Sequence, residues 1–379
     1  MMELQGERPV FDLTADAKRA ADRLYSHLIS HHLCEDGSLV GPDPGVGFNL
    51  RIGRFVKSYL AALPWRDRLY YLQAQAYWIM DNIELSRSSE SRYYVDRTVR
   101  CADAVLSRQT PEGYWEYPQA EWRGRVATVE GCFGALSLLL AHRHNPNNSY
   151  LTGAERWYDF MVERVGFQSM GEGALAVNYF SNTGRGLVPN NSTLALWFVA
   201  ELAEVTGCDR YLRHAPAMIE FLARAQLDTG ELPYVIGSEQ GPGRVHYLCF
   251  QYNAFQFLDL VQYYRIFRDD TVLSIMRQLA KFLSTGLTNE GDARHDCTKN
   301  GPNMHYFTAA VAAALWKATE MGLGDYSSLA SRAYARLLTM QNRDGGFDYS
   351  RGDYGVLCDR RSYPRNQAMI LKHLLLAVQ

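Results

Sequence analysis

The chain has 379 residues, of which 47% are hydrophobic and 21% charged, and its formal net charge is −2 at pH 7. This balance argues against nucleic acid as the main partner, since no basic run or stripe stands out. No uncharged apolar run reaches the roughly 18 residues that can span a bilayer, and residues 1–9 lack a signal-peptide pattern. The sequence therefore predicts a soluble, cytoplasmic protein.

The cysteines are odd in number and scattered, and no two are spaced as Cys-x-x-Cys: Cys34, Cys101, Cys132, Cys208, Cys249, Cys297 and Cys358. Such a pattern is typical of reduced, buried thiols. His295, Cys297 and His305 are metal-ligand types, but their spacing matches no common zinc pattern. We therefore predict no metal and no other cofactor.

The predicted elements are helices in pairs, an amphipathic outer helix followed by a more apolar inner one. In chain order the helices are 16–33 and 48–63, an additional stretch 66–85, then 91–108 and 126–141, 150–165 and 191–205, 211–225 and 247–267, 271–284 and 305–321, and 326–340 and 365–378. Residues 86–90 form a polar break. The segment 126–141 is apolar almost all round, which indicates a buried helix. We expect no large sheet.

A polar residue followed by glycine comes after each outer helix. The six copies are Asp36-Gly37, Glu112-Gly113, Glu172-Gly173, Thr229-Gly230, Glu290-Gly291 and Asp344-Gly345. Recurrence at 54 to 76 residues indicates a repeat architecture. The fuller form Gln-x-x-x-Gly-x-(aromatic or Leu) starts at Gln109, Gln226 and Gln341. We interpret these residues as structural, with a glycine helix cap and an aromatic side chain packed on the adjacent helix.

This motif resembles the QW-type repeat of the terpene cyclase and protein prenyltransferase superfamily, whose members are α/α toroids. Similar loops occur in toroidal glycan-active enzymes. The resemblance implies an all-α (α/α)6 toroid that forms a single domain over residues 1–379. The sequence has neither Asp-x-Asp-Asp nor Asp-Asp-x-x-Asp, and Asp269-Asp270 lies past an inner helix. The zinc ligands of the prenyltransferases have no counterpart that can be placed, so the resemblance favours the fold over the chemistry.

In such a toroid the outer-to-inner loops gather at one end, which is the predicted mouth of the active site. Helix N-termini and several arginines there favour an anionic or richly hydroxylated ligand, and 24 tyrosines suit stacking on sugar rings. The predicted substrate-binding residues are Asn190, Asn191, Gln251, Asn253, Arg123, Arg125, Asp292, His295, Tyr306, Arg361, Arg365 and Asn366.

Residues 244–253 contain the densest polar cluster. In this cluster His246 is a suitable base and Tyr247 a suitable acid for proton transfer next to a carboxylate, which Asn253 would hold. Glu130 lies early in an apolar helix, where it is either functional or tied to an arginine such as Arg125 or Arg365. In a hydrolase it would pair with Asp292, Asp296 or Asp353. The predicted catalytic residues are His246, Tyr247, Tyr252, His305 and Glu130.

We predict an enzyme that acts on an anionic, uronate-type glycan, as a small molecule or an oligosaccharide, by lyase, epimerase or hydrolase chemistry. The alternatives are a terpene-cyclase-like enzyme with a non-standard acid and a non-catalytic glycan-binding toroid. A mouth lined by charged groups and exposed aromatic rings would favour sugar. A closed apolar cavity with one buried Asp would favour cyclisation, and arginine–carboxylate pairs filling the mouth would favour the non-catalytic protein.

Overall fold

The computed structural model describes residues 12–45, 47–65, 67–89 and 91–378, and over these the chain is mostly helical. The helices are α1 Leu13–His31, α2 Arg54–Tyr59, α3 Leu72–Ser89, α4 Arg92–Ser107, α5 Thr128–His144, α6 Asn148–Phe160, α7 Pro189–Thr206, α8 Ala215–Ala225, α9 Cys249–Phe267, α10 Asp270–Leu283, α11 His305–Glu320, α12 Ser327–Thr339 and α13 Pro364–Leu376. The strands are β1 Phe167–Ser169, β2 Leu175–Val177, β3 Asn303–Met304, β4 Ser350–Asp353 and β5 Leu357–Asp359.

Inner helices pack side by side in a closed ring, in the order α3, α5, α7, α9, α11, α13 and back to α3. The outer helices α1, α4, α6, α8, α10 and α12 pack around this ring. Amphipathic sequences form the outer layer because each has one apolar face to bury. The inner helices are buried on nearly all sides, as their apolar composition requires. The ring of helix pairs confirms the predicted all-α (α/α)6 toroid.

The first inner helix is α3, not the segment 48–63 that the sequence suggested. Trp78 and Ile79 of α3 are fully buried, and α3 closes the ring between α13 and α5. Residues 49–53 instead form a π-helical turn that continues into α2, and Phe48, Ile52 and Tyr59 stay exposed. Both stretches are apolar, so composition alone did not distinguish them.

The π-helical turn and α2 thus form an insertion before α3. This insertion, instead of an extra helix after an inner one, lengthens the first interval of the repeat. Arg66, Glu90 and residues 1–9, on which parts of the sequence prediction depend, lie outside the described residues.

The repeated glycines have a structural role, as predicted, but in tight turns instead of helix caps. Gly113 has φ +96° and lies in the turn that follows Thr110, after α4 has already ended. A Cβ atom at Gly113 would lie 2.6 Å from the carbonyl oxygen of Arg156 on α6. Gln109 Nε2 donates to the carbonyl oxygens of Gly113 (2.9 Å) and Gly153 (2.8 Å). The motif thus joins each loop to the next outer helix.

The last copy of the motif closes the ring. Gln341 Nε2 donates to the carbonyl oxygen of Gly345 at 2.9 Å and to that of Ala20 on α1 at 2.8 Å. The Gly345 Cα lies so near α1 that an added Cβ would be 2.4 Å from the carbonyl oxygen of Arg23. The first and last outer helices are therefore connected through the same contact that joins their neighbours.

The loops that lead from outer to inner helices carry the small strands. β1 pairs with β2, and β4 pairs with both β3 and β5, in each case antiparallel. The expectation of no large sheet is confirmed for the described part of the chain. Within that same part, none of the helices has the length and apolar character needed to cross a membrane.

Candidate functional site

A lumen opens at the end of the ring where the inner helices begin. Most positions of the inner helices are buried, yet at least one position in the first two turns of each remains partly exposed. These positions are Gln73 and Tyr77 on α3, Val129 on α5, Asn190 on α7, Tyr252 and Phe255 on α9, Tyr306 on α11 and Arg365 on α13. Since the other faces of these helices pack against neighbours, the exposed positions face the ring axis.

Aromatic rings form a continuous belt along one side of this opening. The ring of Tyr71 lies 5.8 Å from that of Tyr117, which lies 4.8 Å from that of Trp122. Trp122 contacts Phe180 at 5.4 Å, and Phe180 contacts Tyr179 at 4.5 Å. Tyr71 and Phe180 are buried, so the partly exposed rings of Tyr117, Trp122 and Tyr179 are the ones that suit stacking on a sugar.

The belt continues through three tyrosines at the start of α9. Tyr234, in the loop before α9, lies 4.7 Å from Tyr247 and 5.0 Å from Tyr252, measured between ring centroids. Burial raises the pKa of Tyr252 well above its usual value, and the neighbouring Tyr234 and Tyr179 raise it further. Tyr252 is therefore a protonated hydroxyl that can donate a hydrogen bond or a proton.

Three arginines stack on this aromatic belt. The guanidinium carbon of Arg125 lies 5.3 Å from the Phe180 ring centroid, that of Arg185 4.5 Å from Tyr179, and that of Arg244 3.8 Å from Tyr247. None of the three forms a salt bridge with a carboxylate among the described residues. The rim therefore carries positive charge that the protein does not neutralise locally.

One ion pair lies at the centre of the opening. Arg365 Nη2 is 2.8 Å from Oδ2 of Asp43, and the Arg365 guanidinium carbon lies 4.5 Å from the Tyr71 ring centroid. Burial raises the pKa of the Asp43 carboxyl, whereas the charge of Arg365 lowers it. The Arg365 Nε atom is buried and has no hydrogen-bond partner among the described residues, so the hydrogen bonds of the guanidinium are not all satisfied within the protein.

Glu130 is the carboxyl group whose pKa is shifted towards neutrality. Burial raises its pKa to about 7, while Arg365 and the backbone amides of Leu72 and Gln73 oppose the shift. Glu130 Oε2 accepts from the Leu72 N–H at 2.7 Å, which fixes the carboxyl at the N-terminus of α3. A group with this pKa can either take or give a proton near pH 7.

The floor of the lumen holds a carboxyl and an imidazole, Asp259 and His373. Thr193 Oγ1 donates to Asp259 Oδ2 at 3.0 Å, and burial raises the Asp259 pKa well above its usual range. The His373 ring lies 6.2 Å from Tyr77, and burial lowers its pKa to about 3. Burial therefore disfavours the charged form of both groups.

The histidines that the sequence suggested lie away from the ring axis. His246 is about half exposed at the rim, with Nδ1 2.9 Å from Glu231 Oε2. His305 is fully buried, and neither ring nitrogen has a partner among the described residues. Its pKa is lowered to about 4, first by burial. His295 is partly buried and lies 6.1 Å from the ring of Phe307.

Several predicted binding residues are occupied by contacts within the protein. Asn253 accepts from the Leu232 N–H at 2.8 Å and donates to the Leu232 carbonyl at 3.1 Å, so its amide supports the loop after α8. Asp292 pairs with Arg336 of α12 at 2.9 Å. For these two residues the structure shows contacts that support the fold, and their part in ligand binding stays a prediction.

Arg361 is likewise held within the protein. It contacts the carboxylates of Asp359 and Asp67, each at 3.3 Å, and thereby attaches the insertion before α3 to β5. Nearby, Arg54 of α2 forms a buried pair with Asp353 of β4. Asp292 and Asp353 are therefore each paired with an arginine, and a hydrolytic pair with Glu130 stays a prediction from the sequence.

The remaining predicted residues are placed as follows. Arg123 is exposed in the loop before α5. Gln251, Asn191 and Asn366 are buried, and each has an amide atom without a partner among the described residues. Asp296 is bonded within its own loop through Thr298.

Sequence reasoning missed Asp43, Tyr117, Tyr179 and Arg185. Asp43 was hidden in a Gly/Pro loop, and the others lie in loops whose folding only the ring arrangement determines. A cluster of possible metal ligands was also missed, because its members, Glu231, His246, Cys249 and Cys297, come from three separate segments.

Comparison with known proteins identifies the fold. No family model and no curated protein matches the sequence. A sugar epimerase from a ruminal bacterium has a TM-score of 0.72 at 9% identity, with 96% of this chain and 98% of that chain covered. Cellobiose 2-epimerase from Bacillus thermoamylovorans has a TM-score of 0.70 at 14% identity, with 95% and 99% covered.

A third solved structure is described as a possible member of the GH105 family from Salmonella enterica, with a TM-score of 0.69 at 11% identity and coverage of 99% and 96%. Identities this low establish shared architecture only. The protein is an (α/α)6 toroid, the fold of these three structures, and the fold predicted from the repeat is confirmed.

Proposed function

We propose that the protein is an enzyme that acts on an anionic, uronate-type glycan by proton transfer in the lumen. The observation that carries this proposal is the set of three arginines, Arg125, Arg185 and Arg244, stacked on rim aromatics without a carboxylate partner among the described residues. Stacked arginines bind carboxylates through directed N–H groups. The aromatic faces beside them suit the apolar faces of sugar rings.

The structural neighbours support a glycan as the substrate. One is described as a cellobiose 2-epimerase and another as a polysaccharide lyase, whereas the anionic character of the substrate is proposed from the rim arginines. The charged, tyrosine-rich mouth matches the feature that favours sugar over a closed apolar cavity. A cytoplasmic location and a partner set without nucleic acid remain predictions from the sequence.

The proposed reaction begins with removal of the proton on the carbon next to the substrate carboxylate. Glu130, when ionised, takes this proton, since its pKa lies near the working pH. The electron pair left on carbon delocalises into the carboxylate, and Arg365 stabilises the charge that develops there. Tyr252 and Tyr306 have raised pKa values and remain protonated, so they are the proton donors.

The fate of the carbanion decides the product. In elimination, the bond to the glycosidic oxygen breaks and a tyrosine protonates the departing oxygen, which leaves an unsaturated sugar. In epimerisation, a tyrosine returns a proton to the opposite face of the same carbon. In both cases Glu130 ends protonated and the tyrosine ends as a tyrosinate, so Glu130 then releases its proton to solvent and the tyrosinate takes one up from solvent. Hydrolysis would instead need a second lumen carboxylate, for which Asp43 is the nearest candidate because its charge raises the pKa of Glu130.

The buried carboxyl group of Asp259 favours the terpene-cyclase-like alternative. A buried carboxyl group whose pKa is raised well above its usual range, close to the rings of Tyr77 and Phe255, is the type of acid that protonates an alkene. The charged rim is less suited to an apolar substrate, so this alternative takes second place. A prenyl diphosphate and an apolar polyene belong in the same substrate panel.

The test is turnover of a panel of uronic-acid oligosaccharides, followed by absorbance of unsaturated product and by uptake of solvent deuterium. We expect Glu130→Gln to abolish turnover and Arg185→Gln to raise KM. The matched control is Arg92→Gln, whose side chain is 92% exposed on an outer helix. Turnover of no acidic glycan by the wild type, or an Arg185→Gln variant as active as Arg92→Gln, would overturn the proposal.

A further inference from the structure

Four potential metal-ligand side chains meet at the rim of the mouth. Glu231 lies in the loop after α8, His246 in the loop before α9, Cys249 at the first residue of α9, and Cys297 in the loop between α10 and α11. Their ligand atoms all lie within 4.8 Å of one another. None of the residues used in the proposed proton transfer belongs to this set.

The distances between these atoms approach those of a tetrahedral site. His246 Nδ1 is 2.9 Å from Glu231 Oε2, Cys297 Sγ is 3.6 Å from the same oxygen, and the two sulfur atoms are 3.3 Å apart. Zinc binds nitrogen and oxygen at about 2.0–2.2 Å and sulfur at about 2.3 Å, so the edges of its coordination tetrahedron are roughly 3.5 Å. Small side-chain movements would bring all four atoms to one ion.

A second observation points to a ligand at the same place. The Glu231 side chain is 1% exposed, and its Oε1 atom is buried without a hydrogen-bond partner among the described residues. A buried carboxylate oxygen that lacks a partner is costly, and a cation bound there removes this cost. Both cysteines are free thiols, so they are available as ligands.

We propose that Glu231, His246, Cys249 and Cys297 bind one Zn2+ ion. Two sulfurs with an imidazole nitrogen and a carboxylate oxygen form a donor set that suits zinc in preference to magnesium or calcium. The thiols bind as thiolates and release their two protons to solvent. This proposal replaces the expectation of no metal, which considered Cys297 only together with His295 and His305.

The ion has a structural role, because four protein ligands fill a tetrahedral site and leave no position for a substrate. It joins the loop after α8, the N-terminus of α9 and the loop before α11. Arg244 and Tyr247, which flank His246 in the chain, are thereby fixed in the wall of the mouth. The proposed zinc site does not depend on which reaction the lumen catalyses.

A second group of candidate ligands, His27, His31 and Asp344, does not support the same inference. His27 Nε2 is already 2.9 Å from Ser362 Oγ, and His31 Nδ1 is 3.0 Å from the carbonyl oxygen of His27. These contacts occupy one nitrogen of each imidazole, and the group contains no sulfur.

The experiment uses the full chain, treated with a chelator under reducing conditions and then titrated with Zn2+ or Co2+. We expect one equivalent of Zn2+ by elemental analysis. With Co2+ we expect the intense visible bands of a tetrahedral ion and a sulfur-to-cobalt charge-transfer band. Cys297→Ser and His246→Gln alter side chains at the surface. Each should lower the affinity for Zn2+ by more than about 100-fold, which exceeds the usual effect of losing a residue that only orients a ligand.

Cys208→Ser is the matched control, since Cys208 is a partly exposed free thiol before α8, outside the cluster. It should bind Zn2+ like the wild type and show the same rise in melting temperature on zinc addition. Equal zinc binding by Cys297→Ser and Cys208→Ser would overturn the proposal. A Cys249–Cys297 disulfide in protein purified without oxygen, detected by mass spectrometry, would overturn it as well.

Discussion

Arg365 Nη2 lies 2.8 Å from Asp43 Oδ2, and this contact connects the last inner helix, α13, to the loop that follows α1. Both side chains are largely removed from solvent, Asp43 at 3% and Arg365 at 24% exposure. Hence the ion pair that we place at the centre of the proposed reaction also connects the two ends of the chain.

Removal of one partner should be more damaging than removal of both. Arg365→Gln leaves Asp43 buried without its counter-charge, and we expect a loss of about 3–5 kcal/mol in the free energy of unfolding, measured with urea. Adding Asp43→Asn to Arg365→Gln should recover part of this loss, because the uncompensated charge is gone. Strictly additive losses in the double variant would show that the two side chains do not interact.

The repeated glycines should differ in their tolerance of alanine, although all adopt positive φ. Gly345 has φ +90°, and its Cβ would lie 2.4 Å from the Arg23 carbonyl oxygen, so Gly345→Ala must move α1 or the loop. We expect a destabilisation of more than about 4 kcal/mol, measured by urea unfolding.

Gly173→Ala is the matched control for this prediction. Gly173 has φ +75°, but a Cβ atom added there would have no neighbouring atom within 4 Å. The substitution should therefore cost only the backbone strain of about 1–2 kcal/mol. Equal effects of the two substitutions would mean that contact with the neighbouring helix contributes nothing.

The fold was largely predictable because its signals are local. Apolar periodicity defined the helices, and the glycines at 113, 230 and 345 occupy turns whose positive φ favours that residue. The assignment of α3 failed because residues 48–63 are equally apolar, and only the closure of the ring determines which segment is inside.

The site was less predictable than the fold. Tyr252, Tyr306, Arg365 and Glu130 could be proposed from the sequence because they lie in the first turns of inner helices and the repeat indicates where those helices start. Asp43 and Glu231 were missed because their partners are distant in sequence. Asn253 is of a polar type that suggests binding, yet its amide is satisfied by the backbone of Leu232.

Glu130 should make stability and activity depend on pH in opposite directions. Its pKa of about 7 in the folded protein lies above the ordinary 4.5, so the folded state holds this proton more tightly than the unfolded chain. This tighter proton binding contributes up to about 3 kcal/mol to the free energy of unfolding. The contribution is complete below pH 4.5 and is lost as the pH rises through 7. Meanwhile kcat/KM should rise through the same range, because the ionised form is the proposed base.

A comparison of the wild type with Glu130→Gln isolates the contribution of Glu130 to the pH dependence of stability. Unfolding free energies of wild type and variant, measured with urea at intervals from pH 4.5 to 8.5, should converge or cross as the pH rises, since the variant lacks the titrating carboxyl. A constant difference across this range would contradict the shifted pKa. The lost turnover of the variant is a separate result and tests only the proposed base.

His305 should make the fold sensitive to acid. Burial lowers its pKa from 6.5 to about 4, so as the pH falls the unfolded chain takes up this proton before the folded protein does. The contribution of neutral His305 to the free energy of unfolding, about 3 kcal/mol, is therefore complete above pH 6.5 and is lost as the pH falls from 6.5 to 4. The asparagine of His305→Asn cannot be protonated, so the unfolding free energy of this variant should fall less steeply over that interval.

At pH 8 both proteins are neutral at this position, and the difference between them there measures packing alone. Parallel pH profiles for the two proteins would show that His305 is not the group that titrates.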